Sequence, residues 1–134
     1  MAAISSAARV NLSEDVAVPR DQITRYIHGI KEIAKKNDLT IVLAGHAGDG
    51  NIHPSILTDD RDAEHYARAH KAMDEIIDMA LSLGGVISGE HGIGLSKQHY
   101  FRKALDPVAI EMMKKIKGIL DPNNILNPDI IWES

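Results

Sequence analysis

TIVLAGHAGDGNIHPSIL, residues 40–57, contains two β-prone runs on either side of a glycine-rich segment. Residues 40–44 are rich in β-branched side chains, which favour a buried strand, and residues 51–57 predict a second strand. The pair Asp49-Gly50 between them is a turn signal of the hairpin type. The stretch therefore predicts a β-hairpin at the centre of the fold.

Two long helices are predicted, one on each side of this hairpin. Apolar residues recur at helical spacing over about 21–36, and the turn-favouring pair 37–38 is expected to end that helix. A longer apolar stripe follows Asp59 and Asp60, which can cap a helix, and it stops before the glycine pair 84–85.

Short strands are predicted before the first helix, at 16–18, and after the second, at 86–88. The resulting order, β-α-β-β-α-β, predicts an α+β fold with a ferredoxin-like antiparallel sheet and both helices on one face. A C-terminal helical tail is expected beyond it, with a short helix over 96–102 and a second helix capped by Asp106. Residues 121–132, rich in Asn and Pro, are expected to be extended.

Composition limits the classes of function. A chain of 134 residues with 44% hydrophobic content predicts a single domain over 1–134. The net charge is −4 with both signs interspersed, which argues against a nucleic-acid partner or a membrane-binding stripe. There is no run apolar enough to predict a membrane span, and no signal-peptide layout. The chain lacks cysteine, so a metal would need His, Asp or Glu ligands, and a cytoplasmic location is consistent with that composition.

Two histidines near the predicted turn are candidates for metal binding. His46 and His53 fall on opposite arms of the hairpin, where side chains approach within roughly 5 Å. Zinc and similar ions accept imidazole nitrogen, and a catalytic site takes three protein ligands. Glu90, in the segment GEHGIG after the last predicted strand, could complete the set, with His91 as a neighbouring acid or base.

Other interpretations of the same residues stay open. The histidines could be exposed turn residues, with the glycines serving only the turns. Either glycine-rich segment could cradle phosphate, although neither has the dinucleotide-binding spacing and the first leads into a strand. Lys97 and Arg102 could steer a carboxylate or be surface charges. The remaining histidines have no ligand-like spacing and are interpreted as structural or solvated: His28, His65, His70 and His99.

Four motifs together resemble the C-terminal domain of the FAD-linked oxidases, a family that includes glycolate oxidase flavoprotein subunits, D-lactate dehydrogenases and D-2-hydroxyglutarate dehydrogenase. They are EDVAVP, GHAGDGNIH, SGEHGIGLSK and LDPNNILNP, and the resemblance covers about residues 12–128. It implies oxidation of a D-2-hydroxy acid to the 2-oxo acid with hydride transfer to FAD. The implied electron acceptor is an iron-sulfur subunit, an electron-transfer flavoprotein or a quinone.

The resemblance also implies roles for individual residues. His46, His53 and Glu90 match residues that bind zinc or a similar divalent metal in metal-dependent relatives, and His91 matches the proposed base. The N-terminal FAD-binding domain of the family has no counterpart in 134 residues. We therefore expect a C-terminal piece or truncated relative that lacks stable flavin and turnover by itself. Missing segments could leave an unpaired sheet edge or an exposed apolar face, and self-association into a homo-oligomer is one way to cover it.

Three departures from the family pattern bear on the substrate and the tail. Ser13 and Ser55 stand where relatives acting on larger dicarboxylates place lysine and asparagine, which favours a glycolate- or lactate-type substrate. Asp129 stands where a glycine is usual. Two functions from other classes remain as alternatives: a non-catalytic binding or interaction module that retains only the fold, and a small metallohydrolase.

Overall fold

The computed structural model describes residues 8–131 of the chain. The chain divides into two compact units, Met1–His91 and Gly92–Ser134. The single domain predicted over the whole chain stays a prediction.

The α+β class is confirmed, and the described elements have the following bounds. The first unit contains β1 (Val10–Ser13), β2 (Val16–Ala17), a 3-10 turn (Arg20–Gln22), α1 (Ile23–Asn37), β3 (Thr40–His46), β4 (Asn51–Thr58) and α2 (Ala63–Ser82); the second contains α3 (Gln98–Ala104) and α4 (Pro107–Leu120).

Strand β4 is the centre of an antiparallel sheet. It pairs with β3 on one side and with both β1 and β2 on the other. β1 and β2 share one register, because Ser13 pairs with Ser55 and Val16 with Ile52. The ladder is interrupted opposite Pro54, which has no N–H to donate, although the Glu14 N–H still donates to the Pro54 carbonyl at 3.0 Å.

β1 and β2 are therefore two halves of one interrupted strand. The sequence predicted only its second half, because the first half, VNLS, offers just two apolar residues in a short alternating pattern.

The sixth element of the predicted motif is not a strand. Predicted over 86–88, it is reduced to one antiparallel bridge between Val86 and Ala17, with N–O distances of 2.8 and 3.2 Å. The ladder does not continue because the next backbone N–H groups, from Gly89 onward, donate to a side-chain carboxylate instead of a neighbouring strand. The α+β class thus holds, but the exact ferredoxin-like order is not confirmed, because its last strand is reduced to this bridge beside β2.

Helices α1 and α2 pack against each other and against the sheet. The even-numbered residues of β4, including Ile52 and Ile56, are buried with apolar residues of the two helices. Burial raises the pKa of the Tyr26 hydroxyl, and the nearby charge of Glu14 adds to that shift. The core of the first unit contains Val16, Tyr26, Ile30, Ile52, Ile56, Ala69, Ala72, Ile76 and Ile77.

The ends of the two long helices are set by local hydrogen bonding. The C-cap of α1 is Asp38, in the left-handed region with φ 51°, so the turn-favouring pair ends this helix as predicted. α2 begins later than expected, and its cap is Asp62, whose carboxylate accepts from the His65 N–H at 2.9 Å. The prediction of a cap at Asp59 or Asp60 is wrong, because Asp59 instead accepts hydrogen bonds from the backbone and guanidinium of Arg61.

Asp62→Ala is expected to lower the free energy of unfolding by about 1 kcal/mol, because the substitution removes the side-chain acceptor at the start of α2. Asp60→Ala, the matched control, removes only an exposed ion pair with Arg9, and we expect a smaller loss. Urea unfolding followed by circular dichroism measures both. Equal losses for the two variants would contradict the assignment of the cap.

The second unit has one helix that begins where the sequence predicted and one that does not. Asp106 caps α4 by accepting from the Val108 N–H at 2.7 Å, as predicted. α3 begins at Gln98, with Lys97 at its cap position and no side-chain cap, so the helix predicted from residue 96 begins later than expected. Over residues 8–131, no helix has the length and apolar character needed to cross a bilayer.

Residues 121–131 form turns instead of the predicted extended segment. Asp121 organises the first of them, since its carboxylate accepts from the N–H groups of Ile125 and Leu126 at 2.9 Å each. Asp129, which stands where the family pattern expects glycine, has a φ of 60°, the left-handed region that glycine favours. Trp132, also in the predicted segment, lies outside the described residues.

Candidate metal centre

The predicted hairpin forms and brings its two histidines together. His46 pairs with Asn51 across β3 and β4, and Ala44 pairs with His53, so both imidazoles lie on the same face of the sheet. Their ring centroids are 5.6 Å apart in an edge-on arrangement. The connecting turn spans residues 47–50, and Gly50 has a φ of 75°, which few other residues adopt.

Glu90 lies between the histidines. Its Oε1 is 3.2 Å from His53 Nε2 and 3.6 Å from His46 Nε2. One ligand atom from each of the three residues lies within 4.8 Å of the others. His53 is the most enclosed member, with 18% of its side chain exposed, whereas about half of Glu90 faces solvent.

The chemistry and spacing of this donor set fit a divalent metal. Two imidazole nitrogens and one carboxylate oxygen are ligands that zinc and similar ions accept. Two ligand atoms of a tetrahedral zinc site are about 3.3 Å apart. Glu90 Oε1 lies 3.2 Å from His53 Nε2 and 3.6 Å from His46 Nε2, which is close to that separation. Half-exposed Glu90 leaves one side of the set accessible to a small ligand.

His91 lies beside the three donors and outside their set. Its Nε2 is 3.7 Å from Glu90 Oε1, and its ring stacks on His53 with centroids 5.2 Å apart and planes inclined by 15°. With 62% of its side chain exposed, His91 is accessible to a molecule bound at the donor set. A neutral imidazole in that position can accept a proton.

Asp15 is a buried carboxylate at this site that the sequence analysis missed. It is fully buried, and its Oδ2 accepts from the Ser88 hydroxyl and from the N–H groups of Gly89, Glu90 and His91. Together with His53 and His91 it forms a second group of possible ligands that overlaps the first. Its signal in the sequence was an acidic residue inside the alternating strand pattern of EDVAVP.

A close contact explains one glycine of the GEHGIG segment. A Cβ on Gly89 would lie 2.5 Å from the side chain of Asn51, which is itself buried on β4. The backbone at residue 89 therefore approaches the strand more closely than any residue with a side chain allows. The approach brings Glu90 and His91 to the face of the sheet that carries His46 and His53.

The other candidate residues take no part in this cluster within residues 8–131. His28 and His70 are exposed on helices, and His65 Nδ1 is hydrogen-bonded to the Thr58 hydroxyl at 2.8 Å. His99 lies in the second unit, where its ring contacts Tyr100. Lys97 and Arg102 are in the same unit, and their steering of a carboxylate stays a prediction.

Known proteins resemble this chain over most of its length. The family model described as FAD linked oxidases, C-terminal domain, matches residues 1–131. "Glycolate oxidase subunit GlcD" of Bacillus subtilis is 43% identical over 129 residues, which cover 94% of this chain and 27% of that protein. "Probable D-lactate dehydrogenase, mitochondrial" of Danio rerio is 40% identical over 121 residues, covering 90% of this chain and 24% of that protein.

A yeast protein extends the comparison. "D-lactate dehydrogenase [cytochrome] 1, mitochondrial" of Saccharomyces cerevisiae is 37% identical over 120 residues, which cover 90% of this chain and 20% of that protein. The chain thus spans about a quarter of the length of the curated relatives it matches.

Proposed function

The chain belongs to the family of FAD-linked oxidase C-terminal domains, and from this membership we propose that it is the substrate- and metal-binding part of a FAD-dependent D-2-hydroxy acid oxidase or dehydrogenase. The substrate is of the glycolate or D-lactate type, and the product is the 2-oxo acid. The chain alone is inactive in this proposal, because FAD is bound mainly outside it. The observation that carries the proposal is the cluster of His46, His53 and Glu90 beside His91.

The residues of the cluster have distinct proposed roles. His46 and His53 use their Nε2 atoms, and Glu90 uses Oε1, to hold a divalent metal of the zinc type. A metal held there would supply Lewis acidity toward the hydroxyl and carboxylate oxygens of the substrate, and FAD would supply the hydride acceptor. His91 accepts the hydroxyl proton at Nε2 as the carbonyl group of the product forms.

The surroundings of the cluster favour a small substrate. Ser13 and Ser55 are a direct pair across β1 and β4, two positions along the strands from Asp15 and His53 and on the same face. Their hydroxyl groups are 2.7 Å apart and hydrogen-bonded to each other. This pair presents no positive charge to a second carboxylate of the substrate, which supports a monocarboxylate such as glycolate or lactate.

The proposed electron acceptor is an iron-sulfur subunit, an electron-transfer flavoprotein or a quinone. A homo-oligomer and a cytoplasmic location are also proposed, the first from exposed apolar side chains and the second from the cysteine-free composition.

Cobalt(II)-loaded protein titrated with glycolate and, separately, with acetate tests the proposed function. A hydroxy acid can offer both its hydroxyl and its carboxylate oxygen to the metal, so we expect glycolate to change the visible cobalt spectrum at roughly tenfold lower concentration than acetate. His91→Gln should load with cobalt equally well, because His91 is outside the donor set. Failure to take up cobalt, or equal responses to the two acids, would contradict the proposal.

A non-catalytic interaction module is the second candidate function. It is favoured by the large apolar side chains on α4 and the following turns, none of which is buried: Val108, Met112, Ile116, Ile119, Leu120, Ile125 and Leu126. Protein that stays metal-free in the presence of added zinc and cobalt would support this alternative.

A further inference from the structure

We propose that Asp15 is a positioning residue of the metal centre: one buried carboxylate orients His53 and holds the backbone that carries Glu90 and His91. The inference rests on the proposed function, in which His46, His53 and Glu90 bind a divalent metal. It assigns a role to a buried residue outside the set of His46, His53 and Glu90. The support comes from the position of Asp15 in the sheet and from the partners of its two oxygens.

The sheet puts Asp15 beside His53. β1 and β2 continue in one register along β4, and that register sets Asp15 directly opposite His53. Because Pro54 has no N–H to donate, the regular ladder is interrupted at this point. Asp15 is nevertheless fully buried, which is rare for an aspartate unless other groups compensate its charge.

One oxygen of Asp15 holds the loop after the Val86 bridge. Oδ2 accepts from the Ser88 hydroxyl at 2.8 Å and from three successive N–H groups, those of Gly89, Glu90 and His91, at 2.9, 2.8 and 2.7 Å. Consecutive N–H groups that converge in this way form an anion-binding concavity. Hydrogen bonds to an ionised acceptor are also about twice as strong as neutral ones. The carboxylate therefore determines the path of the backbone that presents Glu90.

The other oxygen faces His53. Oδ1 lies 3.6 Å from His53 Nδ1, and that nitrogen is buried without a hydrogen-bond partner among the described residues. On the opposite edge of the ring, Nε2 is 3.2 Å from Glu90 Oε1. A carboxylate beside Nδ1 favours the tautomer that carries its proton there, which leaves Nε2 free to bind a metal.

A positioning role explains the contacts of Asp15 better than direct ligation. Asp15, His53 and His91 do form a possible ligand group, but Oδ2 already accepts four donors from the protein. Direct binding through Asp15 would also require His53 to turn Nδ1 toward the metal, away from the arrangement with Glu90. Carboxylates that orient metal-binding histidines in this manner typically change metal affinity by about 10–100-fold when they are removed.

Asp15→Asn tests the inference, with Asp49→Asn as the matched control. Asp49 is an exposed aspartate in the hairpin turn, so its change removes the same charge without touching the buried contacts. We expect Asp15→Asn to bind zinc about 10–100-fold more weakly in a competition titration, and Asp49→Asn to stay within about twofold of the parent. In metal-free protein, amide hydrogen exchange at Gly89, Glu90 and His91 should be faster in Asp15→Asn only.

A nitrogen-15 NMR measurement separates positioning from a general loss of stability. We expect His53 of the parent chain to carry its proton on Nδ1 and the Asp15→Asn variant to show a mixture of tautomers. If Asp15→Asn does not fold, Ser88→Ala replaces it, with zinc affinity expected to fall about threefold and exchange to rise at residues 89–91. Unchanged zinc affinity in whichever of these two variants folds would overturn the inference. A parent chain that binds no zinc would overturn the proposed function, and the inference with it.

Discussion

We expect His53→Ala to lower the zinc affinity of the protein by a factor on the order of 1000 or more. His53 contributes the most enclosed donor of the set, and its Nε2 is the ligand atom nearest Glu90 Oε1, at 3.2 Å. Its removal leaves two half-exposed donors, which cannot enclose an ion. Zinc content after dialysis, and titration in competition with a chromophoric chelator, measure the loss.

Two further variants decide between the overlapping ligand groups, since both groups contain His53. His46→Ala should lower zinc affinity nearly as far as His53→Ala, whereas His91→Ala should leave it within about threefold. The reverse order would assign the metal to Asp15, His53 and His91. His28→Ala, which removes an exposed histidine on α1, is the matched control and should bind zinc like the parent chain.

Gly50→Ala is expected to destabilise the protein by about 2–5 kcal/mol. Gly50 has a φ of 75°, and a Cβ there would lie 2.1 Å from the Val18 carbonyl oxygen. The left-handed conformation costs roughly 1–2 kcal/mol for a residue with a Cβ, and overlap with packed atoms costs roughly 1–3 kcal/mol more. The overlap is hard to relieve because the obstacle is backbone, held by a 3.0 Å hydrogen bond from the Val18 N–H to the Gly50 carbonyl.

Gly48→Ala is the matched control within the same turn. No atom lies within 4 Å of a Cβ at Gly48, so its substitution should change the free energy of unfolding by less than about 0.5 kcal/mol. Urea unfolding of the three proteins measures the difference. Equal stability of the two variants would show that the turn is flexible enough to make this glycine dispensable, contrary to the close contact with Val18.

The local parts of the fold could be predicted because local forces determine them. The β-branched run before GHAGDGNIH and the helical spacing of the apolar residues in α1 each have one favourable secondary structure. Failures occurred where a partner distant in sequence intervenes. The strand predicted over 86–88 is reduced to a bridge, because the residues after it donate to Asp15. Asp60, one of the two predicted caps of α2, pairs instead with Arg9, 51 residues away.

The candidate site, like the fold, could be predicted from the sequence only in its local parts. By itself, the sequence determined the hairpin, the histidines on its two arms and the presence of a carboxylate and another histidine in a second glycine-rich segment. Through its motifs it also identified the family. These properties depend on short-range turn chemistry and on the identity of residues, and both can be read along the chain.

Only the tertiary structure placed Glu90 Oε1 between His46 and His53 and revealed Asp15 beneath them. Asp15 and Glu90 are 75 residues apart, and their contact depends on strand register, on the interruption at Pro54 and on the close approach of Gly89 to Asn51. No pattern within one segment encodes such an arrangement. It arises when the register of the sheet and the packing of its loops are set together, because a buried carboxylate is stable only where enough donors converge on it.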